Sequence, residues 1–372
     1  MRIGVNALYM IPGGVGGTEI YLRSLLRALA SIDEDNRYFI FANRETEADL
    51  APAQQNFEFV RQPVAARLRP ARIAWEQTGL IAAAMKRRVD VLFNPGFTMP
   101  VACPCPSVTV IHDLQHKRHP EFFRWFDLPF WRLLVWAAVR RSRFLIAVSE
   151  ATRADLLRYY RIPPEKIKVV FHGVEESFFN IGSRLRAPEP YLLAVATLHP
   201  HKNLDRLVRV FAEFRRRHPH FRLVIAGLRG FAAATLERQI TGLGLIGAVT
   251  LTGWISRAEL GGLYERAWAY INPSLFEGFG MPLLEALAAG VPAACSAIEP
   301  LLSIAGGAAL AFDAQSDEAM LAAMERITGD EALRQQLSEA GRRRATDFSW
   351  LQTARQTLLV LREAAAVHQN LS

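Results

Sequence analysis

Runs of β-forming residues alternate with amphipathic helical patterns along most of this chain. The alternation is typical of parallel sheets covered by helices, because two parallel neighbours need a long crossover, usually a helix, between them. In the first half of the chain the predicted strands are 2–7, 37–42, 57–60, 90–93, 107–112, 143–148 and 167–171. In the second half they are 191–196, 221–226, 249–252, 268–271 and 308–312. The pattern therefore predicts the α/β fold class.

The length and composition of the chain favour two domains. It has 372 residues, of which 51% are hydrophobic, which is ample for two cores. Segment 180–190 breaks both the strand and the helix period and is predicted to be a linker. We therefore expect two doubly wound, Rossmann-like domains, 1–180 and 181–349, that face a cleft.

The chain is basic, with a formal net charge of +8 and a pI near 9.7. Two stretches, 61–88 and 117–143, hold most of the excess, and the second also contains Trp125, Trp131 and Trp136. A basic helix with aromatic residues is typical of a protein that rests on an anionic membrane, which is therefore a candidate partner. The same apolar side chains would serve equally well in a packed core, and the sequence leaves both alternatives open.

No segment predicts secretion or a membrane span. The start, 1–8, is too short an apolar run for a signal peptide, and 133–139 falls far short of the roughly 20 apolar residues that span a bilayer. Three cysteines, two of them in Cys103-Pro-Cys105, argue against a disulfide framework and favour a reducing compartment. We expect a cytoplasmic protein, at the inner face of the membrane if the basic stretches bind lipid.

Segment 277–285 carries two carboxylates around a glycine loop, Glu277 before it and Glu285 after it. Gly278 and Gly280 leave the backbone uncovered, so amide N–H groups can reach ligand oxygens with the positive end of a helix dipole behind them. Such a site suits a polyhydroxylated, phosphorylated ligand. The alternative is that both carboxylates are ordinary surface charges.

A short helix is predicted at 282–289. Pro282 suits the first helical position, Gly290 suits the stop, and Pro292 prevents the helix from resuming. Glu285 would then lie in the first helical turn, where a carboxylate also favours the helix dipole.

A second glycine-rich segment, 12–18, joins the first predicted strand to the first helix. A loop of this kind lets a phosphate or an acceptor approach the backbone at the carboxyl end of a parallel sheet. Gly14, Gly16 and Gly17 are its candidate ligand contacts. The spacing matches neither a dinucleotide fingerprint nor a P-loop, so a plain tight turn stays open as the alternative.

The run 272–292 closely resembles the donor-sugar motif of the retaining glycosyltransferases of family 4, which have the GT-B fold. In that family the first Glu contacts the donor sugar, the second Glu binds the ribose, and the loop amides meet sugar hydroxyls and diphosphate. The resemblance gives these roles, in that order, to Glu277, to Glu285 and to the amides of Gly278, Phe279 and Gly280.

Other segments extend the resemblance. Segment 107–113 matches a family strand that ends in His-Asp, where His112 would point toward the reacting sugar. Segment 195–204 matches the start of the family's second domain, where Lys202 would bind the donor diphosphate. The glycine loop at 12–18 has the position of the family loop that faces the same diphosphate.

The match is not uniform. His172 stands where the family usually has Asn, and His201 stands where it commonly has Arg. Together with Thr197 and Gly253, His201 is nevertheless assigned to donor binding by the resemblance. Charge compensation would then depend mainly on Lys202 and on helix dipoles.

The resemblance implies a retaining, metal-independent glycosyltransferase whose catalytic residues are His112, Glu277 and Lys202. Fixed hydrogen-bond donors around the diphosphate would lower the barrier, because negative charge builds on the leaving group as its bond to the sugar breaks. No cofactor is expected beyond the sugar nucleotide that serves as donor. By the same resemblance 181–349 would bind the sugar nucleotide, and the C-terminal helical segment 350–372 would return onto the N-terminal, acceptor-side domain.

The donor is less sharply implied than the reaction. The resemblance across Trp75-Glu-Gln77, His112-Asp113 and segment 197–203 favours mannosyltransferases that use GDP-mannose. UDP-glucose, UDP-N-acetylhexosamine and dTDP-rhamnose stay open as donors, as does a sugar-nucleotide epimerase of the same fold, which would need no acceptor. The expected acceptor is a polysaccharide, such as that of lipopolysaccharide, or a lipid-linked oligosaccharide.

A basic pI alone also fits a protein that binds nucleic acid, but that class would leave both glutamates of the motif without a role, so no nucleic-acid partner is expected. No metal site is predicted either. His112, His116 and His119 have a spacing similar to that of metal ligands. No pattern of carboxylates that would orient such ligands accompanies them. Segment 33–35, Asp-Glu-Asp, copies the metal motif of the other major glycosyltransferase fold, but it falls in a polar turn and is expected to be solvated there.

Overall fold

The computed structural model of the chain describes residues 1–14, 16–123, 125–181 and 190–369, and it describes the side chains of these residues up to 366. Most of the predicted linker 180–190 therefore lies outside the described residues. Two parallel sheets with covering helices organise the described part of the chain.

The first sheet has seven strands: β1 (Arg2–Ala7), β2 (Arg37–Ala42), β3 (Phe57–Arg61), β4 (Val91–Asn94), β5 (Ser107–Ile111), β6 (Phe144–Ala147) and β7 (Ile167–Val169). The second has six: β8 (Tyr191–Val195), β9 (Arg222–Ala226), β10 (Val249–Gly253), β11 (Ala269–Asn272), β12 (Ala293–Ser296) and β13 (Leu310–Phe312). Their spatial orders are β3-β2-β1-β4-β5-β6-β7 and β10-β9-β8-β11-β12-β13. The strand order reverses next to β1 and next to β8, which makes both sheets doubly wound and confirms the predicted fold class.

The helices are α1 (Gly17–Ile32), α2 (Arg69–Gln77), α3 (Gly79–Lys86), α4 (Gln115–Arg118), α5 (Leu128–Arg141), α6 (Glu150–Tyr160), α7 (Glu176–Phe179), α8 (Leu204–Arg217), α9 (Ala233–Gly242), α10 (Arg257–Arg266), α11 (Met281–Ala288), α12 (Leu301–Ala305), α13 (Asp317–Gly329), α14 (Glu331–Ala345) and α15 (Trp350–Gln369). Short 3₁₀ turns lie at Ala48–Leu50, Pro120–Phe122, Pro164–Lys166 and Pro200–Lys202.

Contacts divide the chain into two compact units. The first unit contains Met1–Gly173 and helix α15, and the second contains Val174–Ser349. In the first unit β1 is central, with Ile3 opposite Tyr38 of β2 on one side and Val91 of β4 on the other. The unit is therefore discontinuous in sequence, because α15 follows the whole of the second unit.

The apolar face of α1 is formed as its spacing predicts, and Leu22, Leu25, Leu26 and Leu29 are all buried. This helix packs on α15, whose Leu358 and Leu361 are buried as well. Burial of a leucine side chain contributes about 1.5–3 kcal/mol. The packing of α1 on α15 is therefore a principal attachment of the C-terminal helix to the first unit.

The predicted strands agree with the observed ones to within about two residues at each end, apart from one strand that was not predicted. That strand, β12, has the sequence Ala-Ala-Cys-Ser and is fully buried between β11 and β13. Small residues have low β-propensity, so nothing in the local sequence predicts a strand there. His112, predicted as the last residue of its strand, lies just beyond Ile111.

Candidate active site

The ends of β8 and β11 in the second unit carry two of the predicted catalytic residues. The loop after β8 leads to Lys202, and the loop after β11 leads to Glu277. These two strands are hydrogen-bonded neighbours at the point where the strand order reverses. In open α/β sheets ligands bind at the carboxyl ends of the strands at this point. The fold therefore brings Lys202 and Glu277 together at a position suited to a ligand.

Lys202 and Glu277 form an ion pair. Nζ of Lys202 lies 2.8 Å from Oε1 of Glu277, and their side chains are 17% and 10% exposed. The hydroxyl of Ser274 donates to the same oxygen at 2.8 Å. Both contacts engage Oε1 of Glu277, while an ammonium has three donors, of which the contact with Glu277 uses one.

Helix α11 begins at Met281, so Pro282 is its second residue, and it ends at Ala288. Glu285 therefore lies in the second turn, and the prediction of a first-turn position was wrong. The helix begins earlier because Gly280 caps it with φ 109°, a conformation that favours glycine. A Cβ on Gly280 would also lie 2.6 Å from Cδ2 of Leu301, so a larger residue would have to displace this buried side chain.

Glu285 is 4% exposed and contacts Arg257 of α10 rather than Lys202. Nη1 of Arg257 lies 2.8 Å from Oε1 of Glu285, and the Tyr264 hydroxyl lies 3.2 Å from Oε2. Burial raises the pKa of Glu285, although Arg257 opposes the shift. Arg257 also reaches Glu175, at 3.3 Å. The sequence did not reveal Arg257 and Tyr264 as partners, because their approach to Glu285 depends on how α10 packs.

The loop between β8 and α8 is held by Asn203, which has φ 56° and caps α8. Its Nδ2 donates to the carbonyl oxygens of Pro273, at 3.1 Å, and Ala314, at 2.9 Å. One side chain thereby joins the segments that follow β8, β11 and β13. The amide of Leu275 donates to the carbonyl oxygen of His201 at 2.8 Å, which adds a second tie between the loops of Lys202 and Glu277.

The other predicted donor-binding positions of the second unit lie on its loops. The carbonyl oxygen of Thr197 accepts from the amide of His199 at 2.7 Å, and the His199 ring stacks on that of His201 at 5.8 Å. Burial and the neighbouring Lys202 lower the pKa of His199. Gly253 has φ 70° at the end of β10. The Phe279 ring is buried, and a phenylalanine at this position leaves only the backbone for the predicted ligand contact.

In the first unit the glycine loop leads from β1 into α1. Gly13 and Gly16 have φ 67° and 60°, which requires glycine at both positions. The amide of Gly13 donates to Oε2 of Glu19 at 2.8 Å, and the amide of Gly14 donates to the carbonyl oxygen of Ile11 at 2.8 Å. Gly17 is the first residue of α1. Nothing in the sequence pattern indicated Glu19, which uses one of the amide donors of this loop.

His112 is 8% exposed and lies beside β4 and α1 of the first unit. Its Nε2 donates to the carbonyl oxygen of Pro95 at 2.7 Å. Its ring lies 5.0 Å from the Tyr21 ring and 5.7 Å from the His172 ring. Burial lowers the pKa of His112 to about 4, so it is neutral at physiological pH. A neutral imidazole can donate or accept a hydrogen bond but cannot supply positive charge.

The other histidines of this region have separate structural partners. Nε2 of His116 hydrogen-bonds with the Tyr160 hydroxyl at 2.9 Å, and Nδ1 of His119 lies 3.0 Å from Oε1 of Glu121. Within the described residues no group of three or more His, Cys, Asp or Glu side chains is arranged to hold a metal ion. Independence from metal stays a prediction.

Asp33 is buried at the end of α1, so the prediction of a solvated turn was wrong for this residue. Nδ2 of Asn36 donates to it at 2.7 Å, and the hydroxyl of Tyr38 makes a short hydrogen bond to it. Its neighbours Glu34 and Asp35 are exposed, as expected. The carboxylate of Asp33 therefore joins α1 to β2.

Comparison with known proteins finds two family matches that together span most of the chain. Residues 177–344 match the family described as glycosyl transferases group 1, and residues 15–178 match glycosyltransferase family 4. The O-antigen chain mannosyltransferase B of Escherichia coli is 25% identical over 78% of this chain and 77% of its own length. The MMP alpha-(1->4)-mannosyltransferase of Mycolicibacterium hassiacum is 27% identical over 98% of this chain and 99% of its own.

Among solved structures, the sucrose-phosphate synthase of Thermosynechococcus elongatus superposes with a TM-score of 0.84. The superposition covers 99% of this chain and 100% of the other, at 20% identity. At this level of identity the likeness shows the fold.

Proposed function

Because this chain belongs to the family 4 glycosyltransferases, which have the GT-B fold, we propose that it transfers mannose from GDP-mannose to a polysaccharide or lipid-linked oligosaccharide. The family makes the chain a hexosyltransferase. The mannose donor, retention at the anomeric carbon and independence from metal are the parts proposed here.

The ion pair between Lys202 and Glu277 is the observation that carries the proposal. When the bond from the sugar to the diphosphate breaks, negative charge develops on the phosphate and positive charge on the sugar. The ammonium of Lys202 has donors left for the phosphate, and the carboxylate of Glu277 faces the opposite charge. The pair thus supplies one group for each charge, at a switch point where ligands of open α/β sheets bind.

Retention is proposed on the basis of family resemblance. The acceptor hydroxyl would attack from the face that the diphosphate leaves, and the departing phosphate oxygen would take the hydroxyl proton. A new bond then joins the acceptor oxygen to the anomeric carbon, and the protonated nucleoside diphosphate is the leaving group. This scheme requires no base from the protein, so the neutral imidazole of His112 is not needed to remove the proton.

Mannose is favoured over other sugars by the relatives and by the sequence around α2. Both relatives described above are named as mannosyltransferases, and their identity to this chain is modest. The segment Trp75-Glu-Gln77 lies at the end of α2. UDP-glucose, UDP-N-acetylhexosamine and dTDP-rhamnose are the competing donors.

A contact with anionic membrane is part of the proposal. Helix α5 buries Val135, Ala138 and Val139, but on its other side Leu133 and Trp136 are 58% and 50% exposed. Trp125, shortly before the helix, is 84% exposed. The core alternative therefore does not account for these three side chains, and the basic residues around them suit anionic lipid headgroups. No helix among the described residues is long and apolar enough to cross a membrane.

A panel of nucleotides tests the donor. GDP and GDP-mannose should raise the Tm of the protein, whereas UDP, dTDP and their sugar conjugates should not, because a ligand stabilises only the state that binds it. A selective response to UDP or dTDP would overturn the choice of base. GDP-mannose incubated alone and followed by NMR separates the remaining alternative, since an epimerase would convert it without any acceptor.

A further inference from the structure

The loop that follows β4 occupies the switch point of the first sheet. β4 lies beside β1, where the strand order reverses. In the second sheet the corresponding strand is β11, whose following loop carries Glu277. Residues 95–99, hereafter the 95–99 loop, therefore have in the first unit the topological place that the Glu277 loop has in the second. Ligands of open α/β sheets bind where the strand order reverses, so a ligand is predicted at both loops.

The 95–99 loop is strained at Phe97. This residue has φ 69°, in the left-handed region that bulky side chains rarely adopt. Its neighbour Gly96 is pressed against the Tyr9 ring, because a Cβ there would lie 2.4 Å from Cδ1 of Tyr9. Strained backbone of this kind persists only where the surroundings determine it fully, and it is concentrated at sites that clamp ligands.

Hydrogen bonds to residues outside the loop hold it in place, and three of them involve its backbone or the Thr98 hydroxyl. His112 donates to the carbonyl oxygen of Pro95 at 2.7 Å. The Thr98 hydroxyl donates to Oε2 of Glu76 at 3.0 Å. Nε2 of Gln77 donates to the carbonyl oxygen of Met99 at 3.0 Å. Thr98 and Met99 make their hydrogen bonds with Glu76 and Gln77, at the end of α2. This end of α2 therefore holds the loop in position.

Burial of Glu76 costs more free energy than a residue with a purely structural role would need to cost. The Glu76 side chain is 2% exposed, and hydrogen bonds from Thr98 and Asn6 oppose the effect of this burial only in part. Burial of a carboxyl group is unfavourable, and an apolar residue would avoid that cost. Burial raises the pKa of Glu76 to about 7, against the opposing effect of Arg72. Both features are typical of groups that serve a site.

The loop presents an aromatic ring beside His112. The Phe97 ring lies 5.2 Å from the His112 ring and 5.6 Å from the Trp131 ring, and it stays half-buried. A half-buried aromatic ring suits the apolar C–H face of a pyranose, because the contact buries apolar surface while the hydroxyl groups of the sugar stay in water.

We propose that the 95–99 loop is part of the acceptor site, with the Phe97 ring stacked on the terminal sugar of the acceptor and Glu76 as the positioning residue that holds the loop through Thr98. This inference rests on the proposed function, because an acceptor sugar is required only by a glycosyl transfer. It does not depend on which nucleotide carries the donor.

Saturation-transfer NMR of the full chain without donor tests whether the Phe97 ring contacts a sugar. The probes are methyl α-mannoside, methyl α-glucoside and methyl N-acetyl-α-glucosaminide. At least one should receive saturation from the wild type, and Phe97→Asn should bind it about threefold to tenfold more weakly, since it loses the aromatic contact. Asn accepts a left-handed backbone, and Phe97→Gly serves as the second variant if the first lowers Tm. Leu359→Asn, at an exposed apolar position of α15, is the matched control.

The positioning role is tested at Thr98. Thr98→Val removes the hydroxyl with little change in volume, whereas Thr98→Ser keeps it. Thr98→Val should raise the KM for the glycoside acceptor about tenfold and leave the affinity for the nucleoside diphosphate unchanged, and Thr98→Ser should restore the wild-type KM. Glu76→Gln, whose amide oxygen still accepts from Thr98, should resemble Thr98→Ser.

Two results would overturn the inference. One is the absence of saturation from every probe in the wild type, or equal saturation in the wild type and both Phe97 variants. The other is a parallel loss of acceptor and nucleotide affinity in Thr98→Val, which would reduce the loop to a structural element. Failure of the donor proposal shows itself separately, as a Tm response to a nucleotide other than GDP.

Discussion

The ammonium of Lys202 and the carboxylate of Glu277 lie 2.8 Å apart, although the two residues come from loops that follow different strands. Ser274 donates to the same carboxylate oxygen. Each member of the pair therefore restrains the other. Arrangement before binding matters for catalysis, because groups that are already oriented need no reorganisation when charge develops.

Substitution of the two residues should separate catalysis from binding. Glu277→Gln is expected to lower kcat on the order of 10²-fold while the Kd for GDP changes little, since its charge acts on the developing positive sugar. Lys202→Met should instead weaken GDP binding by about 1.5–3 kcal/mol, the value of a charged hydrogen bond. Initial rates and calorimetric titration measure the two effects. If Glu277→Gln lost GDP affinity and Lys202→Met kept it, the two roles would be reversed.

The ion pair of the buried Glu285 with Arg257 changes what substitution of Glu285 should do. Glu285→Gln is expected to raise the KM for the donor, as the predicted ribose contact requires, and also to lower the free energy of unfolding by about 2–3 kcal/mol. The second effect arises because Arg257 loses its charged contact with Glu285, while its longer contact with Glu175 stays. Urea unfolding measures it.

Glu175→Gln is the matched control for the ion pair. Its side chain is 26% exposed and lies 3.3 Å from Arg257, so its removal should cost less than about 1 kcal/mol. Equal stability losses in Glu175→Gln and Glu285→Gln would show that burial of Glu285 adds nothing to the pair.

The buried Glu76 predicts a pH dependence of stability. Its folded pKa is raised from 4.5 to about 7, so the folded state binds a proton that the unfolded state has released between these values. The stability of the protein should therefore fall as pH rises through this window and level off above it. Between pH 5 and pH 8 the loss should be about 2–3 kcal/mol.

Glu76→Gln isolates that effect, because glutamine does not titrate. The difference in free energy of unfolding between the variant and the wild type should grow from pH 5 to pH 8, while contributions from all other groups cancel. A difference that is constant with pH would mean that Glu76 titrates normally, and Arg72 would then be its effective counterion.

Binding to vesicles checks the membrane contact. The wild type should sediment with anionic vesicles and be released as salt rises, because exposed charges are screened beyond about 10 Å at 0.1 M salt. Leu133→Ser with Trp136→Ser should weaken the binding at every salt concentration, since these side chains supply the apolar contact. Trp254→Ser, an exposed tryptophan of the second unit, is the control. Equal recovery with neutral and anionic vesicles would contradict an electrostatic contact.

Chelation tests the predicted independence from metal. Turnover should survive EDTA, because Lys202 and backbone amides are proposed to compensate the diphosphate charge. A loss of activity in EDTA that Mn²⁺ or Mg²⁺ restores would show that the diphosphate needs a cation. Asp33 would not be the residue that holds it, because its carboxylate is buried against Asn36 and Tyr38.

The sequence predicted what depends on local pattern and missed what depends on packing. Alternation predicted both doubly wound sheets, but β12 was missed because its small residues pack between two other strands. The motif around Glu277 predicted a helix, yet its first residue was set by the cap at Gly280, whose φ of 109° favours glycine. Family resemblance named Lys202 and Glu277 separately.

The sequence did not predict which residues far apart in the chain contact each other. Arg257 beside Glu285 has no sequence signal, because the contact depends on the packing of α10. His172 was noted only as a departure from the family pattern. In the structure its ring lies 4.9 Å from Tyr21 and stacks on Trp350 at 5.9 Å, so a residue of α15 shares its surroundings. Such aromatic clusters arise from long-range packing that spacing does not encode.

The position of α15 in the chain order affects how the protein is made. During translation the whole of 174–349 is synthesised before α15 emerges, yet α15 covers α1 of the first unit. Until then the nascent chain holds an apolar helix face that has no native cover, and such surfaces attract chaperones or neighbouring chains. The first unit thus reaches its native state after the second has been translated, and the ribosome imposes an order of maturation opposite to the order of the sequence.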